Sequence, residues 1–139
     1  MDDFLYNHFS FNPAVYCFVA LLFKKRTKSV INIYRAIFII LVFLISYLVF
    51  IPSSVESNIP HIDKLFHFLA FFILMTFLDL STTRPLTVHL NLVLCLFLFA
   101  LGIEVVQYNL PYRSADFFDL LADLSGMVVY LVFIPRIKT

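Results

Sequence analysis

The sequence has little charge and almost no glycine. Only 14% of its 139 residues are charged and two are glycine, whereas 62% are hydrophobic, against roughly 45–50% apolar residues in an ordinary soluble domain. Nine acidic and ten basic side chains are too few to cover that much apolar surface in water. A water-soluble monomer is therefore excluded, and the composition is that of a membrane protein.

Two further shortages exclude other classes of protein. Cys17 and Cys95 are the two cysteines, and each lies among apolar neighbours, which excludes a disulfide framework or a thiolate metal site. The formal net charge of +1 gives no support to a nucleic-acid partner. The sequence also has no nucleophile elbow, no HExxH pair and no glycine-rich phosphate loop. It therefore assigns no cofactor and no metal ligands, and it contains no recognisable catalytic motif.

Four apolar stretches reach or approach the length of about 20 residues that a membrane-spanning helix needs. They occupy residues 31–51, 65–80, 86–103 and 117–134. Their apolar residues cover every face instead of alternating with polar ones, which favours helices over barrel strands. The sequence therefore predicts an all-α membrane protein in which residues 31–139 form one domain, a bundle of four transmembrane helices.

Residues 1–30 form a separate N-terminal segment that ends in a basic cluster. The segment is apolar overall but is interrupted by Asn7, His8, Asn12 and Pro13. It either lies as an interfacial helix on the cytoplasmic leaflet, where the basic cluster meets anionic lipid, or forms a fifth span. The polar interruptions are costly in hydrocarbon and favour the interfacial alternative.

The positions of the basic residues predict the orientation. Lysine and arginine are enriched on the cytoplasmic side of membrane proteins. Eight of the ten basic residues fall on one side of the predicted spans: Lys24, Lys25, Arg26, Lys28, Arg35, Arg84, Arg136 and Lys138. The loops 53–64 and 104–116 then face outward.

Ionisable residues gather at the outward ends of the predicted spans. Within a span such residues cost about 2.5–3.5 kcal/mol each near its centre, so their presence needs a reason. Asp63 and His67 are four apart, and Glu104 and Gln107 are three apart, so each pair shares a helix face. The predicted polar pocket comprises Asp63, Lys64, His67, Glu104, Gln107, Arg113, Asp116, Asp119 and Asp123. Asp79, close to Arg84 in sequence, is instead expected to be an interfacial charge at a loop.

These polar residues admit a purely structural alternative. Lys64 and Arg113 are the cations at hand, and they could form a salt-bridge network with the acids that serves only stability. His67 could be an internal hydrogen-bond partner of a carboxylate. A structural network predicts that loss of one partner destabilises the fold, whereas a binding site predicts loss of function.

Three short motifs, in order, resemble the VanZ-like family of small bacterial membrane proteins. They are Asp63-Lys64-x-x-His67-Phe at the start of one span, Glu104-x-x-Gln107 at the end of the next, and then Arg113, Asp119, Asp123 and Gly126. The resemblance covers about residues 62–130. The chain departs from the family in having Asp123 where an asparagine is usual and Tyr130 where a small residue is frequent.

The resemblance implies a multi-pass protein of the bacterial inner, cytoplasmic membrane. Members of the family are associated with lowered susceptibility to teicoplanin-type glycopeptides, so resistance is an implied phenotype without an implied reaction. The expected partners are membrane lipids and a lipid-linked cell-envelope precursor.

Three functions are compatible with these residues. In the first, the outward pocket binds a lipid headgroup or envelope precursor, with Lys64 and Arg113 holding a phosphate or carboxylate. In the second, the chain is a membrane enzyme that acts on a lipid-linked phosphate through acid/base groups or a divalent cation. The third is proton-coupled transport, which the placement of the acids on a single rim disfavours.

Overall fold

The computed structural model describes residues 27–51, 61–84, 86–112 and 116–133. These residues form four α-helices, one short 3₁₀ helix and no strand. The helices are α1 (Lys28–Phe50), α2 (Ile62–Leu80), α3 (Leu90–Tyr108) and α4 (Phe117–Phe133), and the 3₁₀ helix is Leu86–Val88. The all-α prediction is confirmed for this part of the chain. The N-terminal segment predicted as interfacial or as a fifth span lies almost wholly outside it.

Two of the helices are long and apolar enough to cross a membrane. They are α1, with 23 residues, and α3, with 19. Large apolar side chains lie exposed along α1, including Phe43, which is 72% exposed, and Ile40. Such a surface is stable in hydrocarbon and unstable in water.

The third predicted span is wrong at both ends. Leu86 and Val88 belong to the 3₁₀ helix, and α3 begins only at Leu90. Apolarity alone placed Leu86 in the span, but its backbone N–H donates to the Asp79 carboxylate and holds it in the connection. At the other end α3 continues to Tyr108, so Glu104 lies within a helix and not in a loop.

The second predicted span begins earlier than apolarity suggested. Helix α2 starts at Ile62, directly after His61, which has a left-handed backbone with a φ of 62°. Asp63 therefore lies in the first helical turn, where a negative charge interacts favourably with the helix dipole. The polar start of α2 is thus part of the helix.

Successive helices run antiparallel, so the two ends of the bundle differ in chemistry. Arg35 Nε, near the start of α1, donates to the carbonyl oxygen of Ser81 just after α2 at 3.1 Å. Lys28, Arg35 and Arg84 therefore belong to one end. The acidic starts of α2 and α4 and the end of α3 belong to the other.

The most extensive helix contact joins α2 to α4. Gly126 of α4 is buried against the α2 backbone, and a Cβ atom there would overlap the carbonyl oxygen of Phe68. Below this contact the core contains fully buried side chains such as Phe71, Leu74 and Tyr130. The missing side chain at position 126 therefore sets how closely α2 and α4 approach.

Gly126→Ala is expected to lower stability, because the new methyl group meets backbone atoms that cannot rotate away. Overpacking of this kind costs about 1–3 kcal/mol. Circular dichroism of thermal unfolding in detergent should show a lower midpoint. The matched control is Gly102→Ala in α3, where a Cβ atom meets nothing within 4 Å and where alanine should stabilise the helix by about 0.5–1 kcal/mol. Equal midpoints for the two variants would contradict the close approach at Gly126.

Candidate functional site

Charged and polar side chains from three helices meet at the end of the bundle where α2 and α4 begin and α3 ends. We call this set the polar cluster. Its members in the described part of the chain are Asp63, Lys64, His67, Glu104, Gln107, Asp116, Asp119 and Asp123. The cluster draws its side chains from α2, α3, α4 and the residue before α4.

Lys64 joins α2 to α4 through three carboxylates. Its Nζ lies 2.8 Å from Asp116 Oδ2, 2.9 Å from Asp119 Oδ1 and 3.2 Å from Asp63 Oδ2. An ammonium group has three N–H donors, so each of them has an acceptor. Asp119 is the most buried partner, with a side chain only 7% exposed. All three N–H donors of Lys64 are therefore used in contacts within the protein.

Asp116 caps the start of α4 in addition to forming an ion pair with Lys64. Its Oδ1 accepts the backbone N–H of Phe118 at 3.0 Å, which is the geometry of a helix N-cap. The Lys64 ammonium, followed by this N–H, holds the pKa of the Asp116 carboxyl below its ordinary value of 3.8. Asp116 therefore remains ionised at neutral pH.

His67 and Asp123 form a second pair between α2 and α4. The Nδ1–H group of His67 donates to Asp123 Oδ1 at 2.9 Å. The Asp123 side chain is fully buried, whereas that of His67 is 19% exposed. The hydrogen bond fixes the ring orientation and leaves Nε2 as the ring nitrogen available to a further partner.

Three acceptor atoms of the polar cluster are buried and have no hydrogen-bond partner among the described residues. They are Glu104 Oε1, Gln107 Oε1 and Asp123 Oδ2. Buried acceptors in folded proteins almost always have a partner, and an orphaned one requires an explanation. The cluster therefore has unused capacity to accept hydrogen bonds or to coordinate a cation.

Glu104 is the residue through which α3 approaches the charged side chains of α2 and α4. One donor atom each from His67, Glu104 and Asp119 lies within 4.8 Å of the other two. Gln107, one turn further along α3, is 5% exposed. Most of the predicted pocket residues therefore converge, while Arg113 lies outside the described residues.

At the opposite end of the bundle, Asp79 is buried, so its prediction as an interfacial charge is wrong. It is 2% exposed. Its Oδ2 accepts the hydroxyl of Tyr130 at 3.0 Å, and its Oδ1 accepts the N–H of Leu86 at 3.2 Å. Proximity to Arg84 in sequence suggested an exposed charge, but the hydroxyl of Tyr130, supplied 51 positions later, is what satisfies the carboxylate.

Lys64→Met is expected to destabilise the protein, because three carboxylates lose their shared cation and repel one another. The unfolding midpoint in detergent at pH 7 should fall by ~5 °C or more. The deficit should shrink below about pH 4, because Asp116 contributes stability only while ionised and the carboxylates then become protonated in both proteins. Lys28→Met is the matched control, since Lys28 is exposed at the other end of the bundle. Equal midpoints for the two variants would show that the contacts of Lys64 are dispensable.

Comparison with known proteins identifies a family and an uncharacterized relative. The VanZ/LLP1 family matches residues 4–138. An uncharacterized protein of Schizosaccharomyces pombe is 38% identical over 101 residues, which are 70% of this chain and 59% of that protein. The chain thus spans less than two thirds of that relative. No solved structure matches it.

The yeast relative qualifies the expected source of the protein. The resemblance implied a bacterial membrane, but the similarity extends to a eukaryotic protein. Membership of the family therefore does not by itself indicate a bacterial inner membrane. The match over residues 4–138 shows that the chain belongs to the VanZ/LLP1 family.

Proposed function

We propose that the chain is a multi-spanning membrane protein whose polar cluster faces outward and binds the headgroup of a membrane lipid or of a lipid-linked envelope precursor. The observation that carries this proposal is the convergence of buried, partly unpartnered acceptors at one end of an otherwise apolar bundle. A headgroup lies at the membrane surface, which is the depth expected for the ends of spanning helices.

All four helices have lengths compatible with spanning. Helices α2 and α4 have 19 and 17 residues, which correspond to about 28 and 26 Å, close to the hydrocarbon thickness of about 30 Å. The charges that lower their hydropathy lie in the first two turns, apart from the buried Asp79 near the end of α2, and α2 and α4 pack most extensively on each other. Burial of these charges against protein lowers the free-energy cost of placing α2 and α4 across a membrane.

Cysteine labelling in intact cells tests the topology. Tyr108→Cys, at the cluster end, should react with an impermeant thiol reagent, and Arg84→Cys, at the basic end, should react only after permeabilisation. Both side chains are exposed in the structure, so a difference in labelling reports the side of the membrane and not burial in the protein. Replacing Cys17 and Cys95 by serine removes background reaction. Labelling of position 84 in intact cells would contradict the outward orientation.

The charge of the polar cluster indicates which headgroups it prefers. Five carboxylates, those of Asp63, Glu104, Asp116, Asp119 and Asp123, face one lysine and one histidine in the described residues. The three N–H donors of Lys64 already have carboxylate acceptors, so its use as a phosphate clamp would require breaking an ion pair. A net negative site attracts a positive group. We therefore expect a headgroup with an amine to bind more tightly than a purely anionic one.

Native mass spectrometry of the purified chain tests this preference. Phosphatidylethanolamine should remain bound, and phosphatidylglycerol with the same acyl chains should bind at least tenfold more weakly. Glu104→Gln should reduce the ethanolamine lipid to the level of the glycerol lipid, because it removes a charge that has no salt-bridge partner among the described residues. His89→Asn, at the start of α3 and away from the cluster, should leave binding unchanged.

Equal retention of both lipids by the wild type and by Glu104→Gln would contradict headgroup recognition. Polyprenyl phosphate in the same panel tests the envelope-precursor form of the proposal. If that ligand is retained and the host is a bacterium, altered susceptibility to teicoplanin on expression of the chain is the expected phenotype.

A second candidate function is a membrane enzyme that acts on a lipid-linked phosphate. The specific observation in its favour is the 2.9 Å contact between His67 and Asp123, because a histidine oriented by a buried carboxylate is a suitable general base. Release of inorganic phosphate from polyprenyl diphosphate by the purified chain, abolished in His67→Asn and kept in His89→Asn, would support it. Absence of phosphate release by the wild type would contradict the enzyme and leave headgroup binding as the proposed function.

A further inference from the structure

The polar cluster contains a set of donor atoms suited to a metal ion. We propose that His67, Glu104 and Asp119 bind a divalent transition-metal ion. One donor atom from each residue lies within 4.8 Å of the others. Ligands in a tetrahedral arrangement with bonds of about 2.0–2.2 Å are about 3.3–3.6 Å apart. Side-chain shifts of less than about 1 Å therefore bring the three donors onto one ion.

The buried orphan acceptors are an independent reason to place a cation here. Glu104 Oε1 has no hydrogen-bond partner among the described residues although water does not reach it. The fully buried Asp123, which contacts His67, has a second orphan oxygen, Oδ2. A protein donor for these atoms is missing from the described part of the chain. A bound ion would give Glu104 its partner and would attract the remaining carboxylate electrostatically.

The contact between His67 and Asp123 has the form found around metal-bound histidines. A ligating histidine almost always donates its other ring N–H to a carboxylate, carbonyl or water. Here Nδ1 donates to Asp123, which leaves Nε2 for the ion. Asp123 is therefore assigned as a positioning residue that acts through His67 and does not itself ligate.

Charge balance also favours a divalent ion. Lys64 offsets the carboxylates on its own side, and its Nζ contacts Asp119 Oδ1 at 2.9 Å. Asp119 Oδ2 is then the oxygen left for the ion, so the two cations use different oxygens of one carboxylate. Glu104 and Asp123 make no ion pair with Lys64. A second positive charge between α2, α3 and α4 offsets the repulsion among these acids.

The donor types select the class of metal. One imidazole nitrogen and two carboxylate oxygens suit Zn²⁺ or Mn²⁺, whereas Mg²⁺ and Ca²⁺ prefer oxygen ligands alone. The set contains no thiolate, which disfavours Cu⁺. Three protein ligands leave at least one coordination position open. An ion and an amine headgroup would compete for the same Glu104 charge, so the test uses the metal alone.

The test uses the full chain in detergent, without a histidine tag and after treatment with EDTA. Isothermal titration with ZnCl₂ and MnCl₂, followed by elemental analysis after desalting, should give one equivalent of at least one of these ions, and MgCl₂ should bind more than tenfold more weakly. His67→Asn and Glu104→Gln should weaken binding at least a hundredfold. Asp123→Asn should weaken it by about 10- to 100-fold, as expected for a residue that orients a ligand. His89→Asn should bind like the wild type.

A second measurement needs no variant and so does not depend on whether the variants fold. X-ray absorption of the zinc-loaded wild type should show imidazole scattering and a first shell of nitrogen and oxygen at about 2.0–2.1 Å. No saturable binding of either Zn²⁺ or Mn²⁺, a first shell without imidazole, or unchanged affinity in a folded His67→Asn variant would overturn the proposal. Each of these outcomes leaves the headgroup test unaffected.

Discussion

The close approach of α2 and α4 at Gly126 is the constraint on which the rest of the structure depends. Because no side chain separates Gly126 from the backbone at Phe68, the two helices lie near enough for short side chains to meet across them. Lys64 reaches Asp119, and His67 reaches Asp123, at 2.9 Å each. A wider separation would leave these buried charges without partners, at a cost that a membrane environment increases.

The contacts of Lys64 and of His67 across α2 and α4 have different roles. Lys64 uses all its donors on carboxylates, so it neutralises charge and joins the starts of two helices. His67 uses one nitrogen on Asp123 and keeps the other. Glu104 reaches the same region from α3 and brings a charge with no matching cation. The structural network considered from the sequence therefore accounts well for Lys64 and for the contact between His67 and Asp123, and poorly for Glu104.

Local spacing and apolarity predicted what depends on one helix at a time. Four residues separate Asp63 from His67, and three separate Glu104 from Gln107, so shared faces followed from helical geometry. Continuous apolarity predicted α1 and α4 nearly to their ends. The prediction was wrong where a distant residue decides the outcome, as at Leu86, which looks like part of a span but donates to Asp79.

The partners of individual charges could not be predicted, because they depend on how helices approach. Sequence placed Lys64 beside Asp63, yet its shorter contacts are with residues more than 50 positions later. Asp79 was predicted to be an interfacial charge at a loop, yet it is buried and accepts the hydroxyl of Tyr130. Tyr130 occupies a position where the family frequently has a small residue, so its role was visible only in three dimensions.

The two ends of the bundle differ in how completely their buried carboxylates are hydrogen-bonded. Asp79 and Asp123 are both buried carboxylates, with exposed fractions of 2% and 0%. Asp79 has a protein donor on each oxygen, so the protein has satisfied it and its contribution is to packing. Asp123 has a donor on one oxygen, and orphan acceptors on Glu104 and Gln107 occur in the same cluster. Since the fold can satisfy a buried acid fully at one end, the incomplete hydrogen bonding at the other end is the observation that supports the proposed ligand site there.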